Sequence, residues 1–304
     1  AIVEQKDCDS EQAKVREINS GIYWFKAEKL SGLLDKLGNN NAAGEYYLTD
    51  TVAVAEKKGV YTADSTDVVL GANSRSQLAA LNEVARKRKL AELMDEGVDI
   101  PLSDGIIIGK DVKIGHDTVI LPNTIIKGKT VIGNGCEIGP NSYIADCVIE
   151  DNVILNNVQA HESKVDSKAK AGPFVHLRPN THLHSGVKIG DFVEVKNSEI
   201  GINTCIAHLT YIGDSDVGKG VNFGCGCVTA NYDGIKKYRT TIGDNAFIGC
   251  NTNLIAPVTI GDNATTAAGS TITKNVPADS LAVERGQTRI IEHWEKNSKR
   301  IKKA

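Results

Sequence analysis

The sequence has few aromatic residues, no long hydrophobic run and no excess of one sign of charge. Aromatic residues make up 5% of its 304 residues, which is little material for a conventional core built around large rings. Its longest apolar runs, such as Gly105–Gly109, are far shorter than the roughly 18 residues that a membrane-spanning helix needs. Its 35 basic and 38 acidic residues give a net charge of -3, which argues against a protein dedicated to nucleic-acid binding.

Cysteine usage and the N-terminal segment indicate a cellular compartment. The seven cysteines are odd in number and scattered, which argues against a framework of disulfide bonds. No charged and then apolar segment at the N-terminus resembles a signal peptide. The sequence therefore predicts a reduced, cytoplasmic protein. Because it begins with Ala1 and its only methionine is Met94, we expect it to be the C-terminal part of a longer protein.

A six-residue repeat dominates the chain. Isoleucine recurs every six residues from Ile108 to Ile144, and aliphatic residues return at this spacing in Leu177–Ile212 and Ile242–Ile272. Neither an α-helix nor a β-hairpin has this period, whereas a parallel β-helix built from hexapeptides does. Each hexapeptide forms a short strand and a bend, with the aliphatic side chain pointing to the axis and the following glycine taking backbone angles forbidden to other residues. Three hexapeptides make a turn, so Ile106–Ile272 has room for about nine turns.

Two segments interrupt this period. The spacing slips and polar residues accumulate in Cys147–Ala171, and Asn231–Thr240 is a polar excursion between two regular stretches. Loops that leave a rigid scaffold are where functional residues concentrate. Both segments are therefore predicted to be loops with a functional role.

Residues 1–73 follow a different pattern. Leucines at helical spacing in Leu30–Leu37 predict an amphipathic helix, Thr49–Lys58 predicts a second helix, and Val60–Ala63 and Val68–Leu70 are candidate strands. This is α/β material, but too little for a complete sheet.

A long helix and a basic tail complete the organisation. Ser74–Gln77 has the pattern of a capping box and predicts a helix to about Glu96, interpreted as a rigid connector. The basic run Arg86–Lys89 is interpreted as a solvated face of this helix, with a partner-binding role as the alternative. The tail ends in Lys299, Arg300, Lys302 and Lys303 and is interpreted as a solvated terminus. The predicted domains are an α/β remnant (1–73), a linker helix (74–98), the β-helix (99–275) and a C-terminal tail (276–304).

His208 is the candidate catalytic base. It follows the inward-facing Ile206 by two residues, so it should point outward near a corner, and imidazole is the usual proton acceptor near neutral pH. A lone histidine would more often be a plain surface residue. Polar side chains predicted at matching positions of neighbouring turns are Arg178, Lys196, Tyr211 and Asn222. Arginine and lysine together suit a phosphate, so the cluster indicates an anionic substrate.

Other candidate sites are less supported. His182 and His184 share a strand, but the sequence shows no obvious third ligand, so they are not taken as a metal site. Cys225 and Cys227 lack the second pair of a zinc site. The threonines are too irregular for an ice-binding array.

The chain resembles one family of bacterial enzymes over its whole length. The segments that carry the resemblance are Ile2–Asp7, Glu17–Gly21, Asn39–Asp50, Leu177–Pro179, Phe192–Lys196, His208–Tyr211 and Val221–Gly234. They resemble the bifunctional N-acetylglucosamine-1-phosphate uridyltransferase/glucosamine-1-phosphate N-acetyltransferases, without the N-terminal part of the uridyltransferase domain. The resemblance implies a left-handed parallel β-helix preceded by a Rossmann-like α/β remnant.

The family implies an acetyltransferase of UDP-N-acetylglucosamine biosynthesis. Acetyl would pass from acetyl-CoA to the amine of glucosamine 1-phosphate, with His208 taking the amine proton. The implied sugar-phosphate ligands are Arg178, Lys196, Tyr211, Asn222 and Lys237. The implied coenzyme contacts are Cys225, Asn231, Tyr232, Cys250, Ala268 and Arg285.

Two coenzyme positions depart from the family pattern. Cys225 stands where alanine is expected, but its implied role, stabilising the oxyanion through its backbone N–H, does not depend on the side chain. Cys250 stands where serine is expected and offers a thiol, a weaker donor than a hydroxyl.

For the uridyltransferase half, the resemblance implies that Glu4 and Asn19 contact the uridine-linked sugar and that Asn73 helps to hold Mg²⁺. The family's glycine-rich nucleotide loop and metal-binding aspartate are expected upstream of residue 1. This chain alone is therefore predicted not to transfer uridylate from UTP to N-acetylglucosamine 1-phosphate, while the full-length parent does. The resemblance also implies a homotrimer that shares the acetyl site between neighbouring chains.

Two alternatives of other classes stay open. A zinc-dependent hydratase on the same fold would need about three histidine ligands per metal. A non-catalytic scaffold would make the clustering of Arg178, Lys196 and His208 accidental.

Overall fold

The computed structural model describes residues 2–292 and divides the chain into two compact units, with the boundary after Val84. The first unit contains helices α1 (Ala27–Leu34) and α2 (Thr51–Val54) and the beginning of α3 (Arg75–Asp95). Its 3₁₀ turns are Gln5–Asp7, Gln12–Lys14, Leu48–Asp50 and Thr66–Val69. Among the side chains described in residues 2–84, only that of Thr51 is buried, and Trp24 is 99% exposed.

The prediction of two strands in the first unit is wrong. Val60–Ala63 is irregular, and the second candidate overlaps the 3₁₀ turn Thr66–Val69. An isolated strand is not stable without a partner for its backbone hydrogen bonds, and residues 2–84 contain no strand to provide one. The helix predicted over Thr49–Lys58 is also shorter than expected, since α2 ends at Val54.

Helix α3 begins as its capping box predicts. The backbone N–H of Gln77 donates to Ser74 Oγ at 3.2 Å, while Gln77 Oε1 accepts from the N–H of Asn73, one residue earlier than in the usual capping box. In the second unit, the last turns of α3 bury Leu90 and Leu93 in the hydrophobic core. Among residues 2–292, no helix combines the length and hydropathy that a membrane span requires.

The second unit is a parallel β-helix with three faces, numbered in the order in which the chain visits them. Face 1 consists of β1 (Ile107–Ile108), β4 (Ile125–Lys127), β7 (Tyr143–Ala145), β10 (Val158–His161), β13 (Val175–Leu177), β16 (Glu194–Lys196), β19 (Tyr211–Gly213), β22 (Val228–Ala230), β25 (Asn253–Ile255) and β28 (Thr271–Ile272). Face 2 consists of β2 (Lys113–Ile114), β5 (Val131–Ile132), β8 (Val148–Ile149), β11 (Lys164–Val165), β14 (His182–Leu183), β17 (Glu199–Ile200), β20 (Ser215–Val217), β23 (Thr240–Ile242) and β26 (Val258–Ile260). Face 3 consists of β3 (Val119–Ile120), β6 (Glu137–Ile138), β9 (Ile154–Leu155), β12 (Lys170–Ala171), β15 (Lys188–Asp191), β18 (Cys205–His208), β21 (Asn222–Phe223), β24 (Phe247–Ile248), β27 (Thr265–Thr266) and β29 (Leu281–Ala282).

The six-residue period places the aliphatic side chains on the axis, as predicted. Ile120, Ile126, Ile138 and Ile144 are fully buried, and the β-helix of hexapeptide repeats is confirmed. Faces 1 and 3 each have ten strands, so the helix makes ten turns instead of about nine. Aromatic residues are scarce because this narrow interior is filled mainly by aliphatic side chains.

Most of the repeated glycines have a different role from the one predicted. Gly133 and Gly218 do not have positive φ; a side chain at either would collide with the next turn, because its Cβ would lie 2.8 Å from the backbone nitrogen of Asp151 or Asp244. The left-handed backbone angles occur at other corner residues, such as Asn123 (φ 59°). Gly139 is the exception, with the predicted positive φ (106°), whereas most of the glycines after the aliphatic positions allow close stacking of turns.

Only one of the two predicted interruptions is a loop. Cys147–Ala171 contains β8 to β12, all paired with the neighbouring turns, and its slipped spacing comes from five-residue steps. The segment between β22 and β23 does leave the scaffold, since Val228 pairs with Asn253, 25 residues further on, whereas Ile107 pairs with Ile125. Strand pairing continues into the predicted tail as far as β29, and the basic residues 299–303 lie outside the described residues.

Candidate active site

Three cations gather at the edge of face 1 where its strands end. Leu177 pairs with Val195, so Arg178 and Lys196 occupy the same position on successive turns, and Lys196 pairs in turn with Gly213. The absence of a side chain at Gly213 leaves room for the Tyr211 hydroxyl, which lies against the position that a Cβ there would take. The structure thus brings Tyr211 to Arg178 and Lys196 although it stands two residues earlier in its own strand.

Electrostatic crowding makes this cluster a candidate anion site. The pKa of Lys196 is lowered chiefly by its contact with the ammonium group of Lys237; partial burial and the charge of Arg178 act in the same direction, and Asp214 opposes them. Lys237 comes from the loop that follows β22, so the loop adds a cation to the edge of the sheet. Like charges held this close favour a bound anion, and a phosphate could bridge them.

Two carboxylates position the cluster. Glu194 accepts from Arg178 Nη1 at 2.8 Å and holds the guanidinium in place. Asp214 accepts short hydrogen bonds from the side-chain amides of Asn197 and Asn231. Burial alone would raise the pKa of Asp214, but these hydrogen bonds and the nearby lysines outweigh it and hold the pKa below its usual value. Asp214 therefore stays ionised and fixes Asn231, which is buried at the base of the loop.

His208 lies at the corner between faces 3 and 1. It ends β18, points outward as predicted, and is exposed, and no hydrogen bond within residues 2–292 occupies its ring nitrogens. Its backbone is fixed, because its carbonyl accepts from the N–H of Gly226 at 3.3 Å and from Thr210 Oγ1 at 2.7 Å. An outward imidazole on a fixed backbone can accept a proton from a bound substrate.

A column of residues runs along this corner from His208. The carbonyl of Cys225 accepts from the N–H of Asn251 at 2.7 Å, and the carbonyl of Cys250 accepts from Gly269 at 2.8 Å. His208, Cys225, Cys250 and Ala268 thus stand on successive turns, a span of about 14 Å at the usual strand spacing. Arg285 lies at the end of the column, where its Nη1 donates to the Ala268 carbonyl at 3.0 Å.

The backbone N–H of Cys225 has no acceptor within residues 2–292, so a ligand beside His208 could receive it. The thiol at Cys250 is exposed, whereas Cys227 is buried, and burial raises the pKa of the Cys227 thiol to about 11. Cys227 is therefore a protonated packing residue at neutral pH.

Two residues predicted for the site lie apart from the cations. Asn222 begins β21 on face 3 and pairs with Cys205, so the prediction that it matches Arg178 and Lys196 is wrong. A given position within the hexapeptide recurs on all three faces. The six-residue period therefore does not show which face a residue occupies. Tyr232 lies exposed in the loop, where its hydroxyl donates to the Gly234 carbonyl at 2.6 Å.

The residues predicted for uridylate transfer are on the first unit. Glu4 precedes the first 3₁₀ turn, Asn19 donates to the Tyr23 hydroxyl at 2.6 Å, and the backbone of Asn73 is bound by Gln77. Mg²⁺ requires several oxygen ligands, usually with carboxylates among them. Residues 2–84 contain no group of three converging His, Cys, Asp or Glu side chains.

The sequence reasoning missed one group on face 2. Asp166 lies next to His182 and His184. It supplies the third possible metal ligand, which is not obvious from the sequence. The available signal was the length of one turn: Asp166 stands 18 residues before His184, and Glu199 stands 17 residues after His182.

Comparisons with known proteins agree with the fold and identify the family. The bacterial transferase hexapeptide model (six repeats) matches residues 239–274. The chain is 48% identical over 296 residues to the bifunctional protein GlmU of Clostridium acetobutylicum, covering 96% of this chain and 65% of that protein. It is 45% identical over 303 residues to the bifunctional protein GlmU of Desulfitobacterium hafniense, covering 98% of this chain and 67% of that protein.

Among solved structures, a UDP-N-acetylglucosamine acyltransferase from Francisella novicida is similar at 17% identity and a TM-score of 0.34, over 59% of this chain and 65% of that one. The chain spans about 65% of the length of the curated relatives that it matches. The extent of the match to these relatives, at nearly half of all positions, shows that the chain belongs to the family of bifunctional GlmU proteins.

Proposed function

We propose that this chain transfers the acetyl group of acetyl-CoA to the amine of glucosamine 1-phosphate. The observation that carries the proposal is the pair of features around face 1: the cations Arg178, Lys196 and Lys237 at one edge, and His208 at the head of the corner column. The first suits a sugar phosphate, and the second suits a base beside an extended coenzyme.

The reaction needs no covalent enzyme intermediate and no metal ion. The phosphate binds to the cations, and His208 takes a proton from the neutral amine as the nitrogen attacks the thioester carbon. The backbone N–H of Cys225 donates to the carbonyl oxygen as it gains charge. The C–S bond then breaks, the coenzyme leaves as a thiolate, and the proton on His208 passes to its sulfur.

The corner column supplies the coenzyme site in this proposal. Cys250 and Ala268 line the extended arm of acetyl-CoA, and Asn231 and Tyr232 reach it from the loop of a neighbouring chain. The guanidinium of Arg285 lies at the far end, where its charge suits the phosphates of the coenzyme.

We infer a homotrimer in which neighbouring chains share each site. His208 and Asn222 belong to face 3, whereas the cations lie at the edge of face 1 farthest from His208. A neighbouring chain could bring its face 3 beside face 1 and complete the site, with Asn222 as a substrate ligand.

Mixed oligomers test this arrangement. We expect His208→Ala and Lys196→Met chains, unfolded and refolded together, to recover activity at low substrate, because about a quarter of random interfaces would combine the two intact residues. Each variant refolded alone is the control. Failure of co-refolded trimers to exceed the two separate variants would show that one chain provides the whole site.

The proposed reaction is tested directly by following free thiol release from acetyl-CoA. Release should require glucosamine 1-phosphate; glucose 1-phosphate, which lacks the amine, should give none, and glucosamine, which lacks the phosphate, should react only at much higher concentration. Equal rates with and without the amino sugar would refute acetyl transfer to it.

We expect no uridylate transfer by this chain alone. Residues 1–73 contain no G-x-G segment to bind a triphosphate, and the described part of that unit contains no group of three converging His, Cys, Asp or Glu side chains. Pyrophosphate release should stay at background with UTP, N-acetylglucosamine 1-phosphate and Mg²⁺. Sustained release by the purified chain would overturn this prediction.

A further inference from the structure

Two histidines and two carboxylates meet on face 2, away from the residues proposed for acetyl transfer. His182 and Glu199 begin β14 and β17 and pair with each other, and Asp166 and His184 directly follow β11 and β14. The group therefore spans three successive turns. The side chains of Asp166 and His182 are 13% and 19% exposed, so the group is more enclosed than an ordinary surface ion pair.

The distances within the group match the first shell of a metal ion. Asp166 Oδ1 lies 2.9 Å from His182 Nε2, and Asp166 Oδ2 lies 3.3 Å from His184 Nδ1. The two imidazole centroids are 3.9 Å apart, and one ligand atom from each residue lies within 4.8 Å of the others. Tetrahedral ligands bound at 2.0–2.1 Å lie about 3.3 Å from one another, so little movement would be needed to close around an ion.

Glu199 adds an independent observation. Its Oε2 lies 2.9 Å from His182 Nδ1 and 3.0 Å from His184 Nε2, the ring nitrogens that do not face Asp166. If an ion binds on the Asp166 side, both imidazoles can donate their remaining N–H to this oxygen. Metal-bound histidines are commonly oriented by a carboxylate in this way, which fixes the tautomer and makes the other nitrogen a better ligand.

The repeat itself changes at this place. The corner that follows face 2 has Gly133 before the group and Gly201 after it, but three intervening turns carry Glu150, Asp166 and His184. A Cβ at Gly133 would collide with the next turn, so glycine is needed there for the turns to stack closely. The side chains at the three intervening positions therefore represent a departure from the repeat.

Lys164 occupies part of the group in the structure. Its Nζ lies 2.9 Å from Asp166 Oδ1 and 3.7 Å from Glu150 Oε1. An ion that binds Asp166 must compete with this ammonium, which is half-exposed and has Glu150 as a second partner. The lysine should weaken metal binding without preventing it.

We propose that Asp166, His182 and His184 form a binding site for a divalent transition-metal ion of the zinc type, with Glu199 orienting both imidazoles. Two nitrogens and one carboxylate oxygen are ligands that zinc and cobalt accept, and a fourth position stays open to water. The ion would join successive turns of face 2, and it takes no part in the proposed acetyl transfer.

Cobalt is the probe, because its visible absorption reports coordination. The whole chain, stripped with a chelator and dialysed, should bind one Co²⁺ per chain with the intense visible bands of a four-coordinate site, and Zn²⁺ should displace it. His184→Gln should lower the affinity by at least about 100-fold, and Glu199→Gln by about 10- to 100-fold. Lys164→Met should raise the affinity, because the competing cation is gone.

His116→Gln is the matched control. His116 is an exposed histidine beside a single carboxylate, with its Nδ1 2.7 Å from Asp117 Oδ2, but it has no second histidine. Its loss should leave cobalt binding unchanged. Thermal unfolding of each variant without metal shows whether the fold survives, and added Zn²⁺ should raise the melting temperature of the native chain but not that of His184→Gln.

Three results would overturn the proposal. One is no specific cobalt binding by the native chain, and another is equal binding by native protein and a folded His184→Gln variant. The third is a near-ultraviolet thiolate-to-cobalt band, which would assign the ion to the cysteines near Cys225 and Cys250 instead.

Discussion

Replacing His208 by alanine is expected to lower kcat for acetyl transfer by about 10²- to 10⁴-fold, the usual contribution of a general base. The attacking nitrogen must lose a proton as it bonds to the thioester carbon, and the variant leaves water as the acceptor. The KM for glucosamine 1-phosphate should change little, because the phosphate is held by the cations at the other edge of face 1. The measurement is the initial rate of thiol release over a range of both substrates.

His116→Ala is the control for this prediction. Both histidines are exposed and lie at corners of the β-helix, but His116 is beside Asp117 and outside the corner column. The His116 variant should keep the native rate. If His208→Ala also kept it, the base would be another group, or the scaffold interpretation would gain support.

The sequence predicts the fold well because one physical requirement repeats in it. Each turn must place aliphatic side chains on a narrow axis. Ile120, Ile126 and Ile138 meet this requirement, and their regular spacing makes it visible in the sequence. Five-residue steps, as between Leu155 and Ala160, keep both residues buried and the strands paired, so a slip in the period looks like a loop in the sequence without being one.

The site is only partly predictable, because the same period hides which face a residue occupies. Tyr211 and Asn222 both precede an inward residue, yet they lie on faces 1 and 3. The convergence of Asp166 on His184 depends on residues a whole turn apart. By contrast, the outward direction of His208 follows from its distance to Ile206 and was predicted.

The first unit shows where prediction from local sequence fails. Its candidate strands, such as Val60–Ala63, have suitable residues, but a strand exists only with a partner, and residues 2–84 provide none. Local sequence therefore predicted helix α1 at nearly its observed place while giving strands that the structure does not contain.

Replacing Lys196 by methionine is expected to raise the KM for glucosamine 1-phosphate by about 10- to 100-fold, because a hydrogen bond to a charged group contributes roughly 1.5–3 kcal/mol. Methionine keeps most of the side-chain volume and removes the ammonium. Since Lys237 and Arg178 crowd this ammonium in the empty site, the loss should stabilise the unliganded cluster slightly while it weakens the complex. The effect should therefore appear in KM far more than in kcat at saturation.

Lys127→Met is a matched control on the same face. Lys127 pairs with Ala145, and Ala145 pairs with His161, one turn before Arg178, so Lys127 occupies the equivalent position three turns before the cluster. Its replacement removes one positive charge at the same register and should leave the KM unchanged. A phosphate-specific role further requires that Lys196→Met affect the reaction of free glucosamine much less than that of glucosamine 1-phosphate. Equal losses with both substrates would mean that Lys196 supports the fold of the site rather than binding the phosphate, and the anion cluster would have to be reassigned.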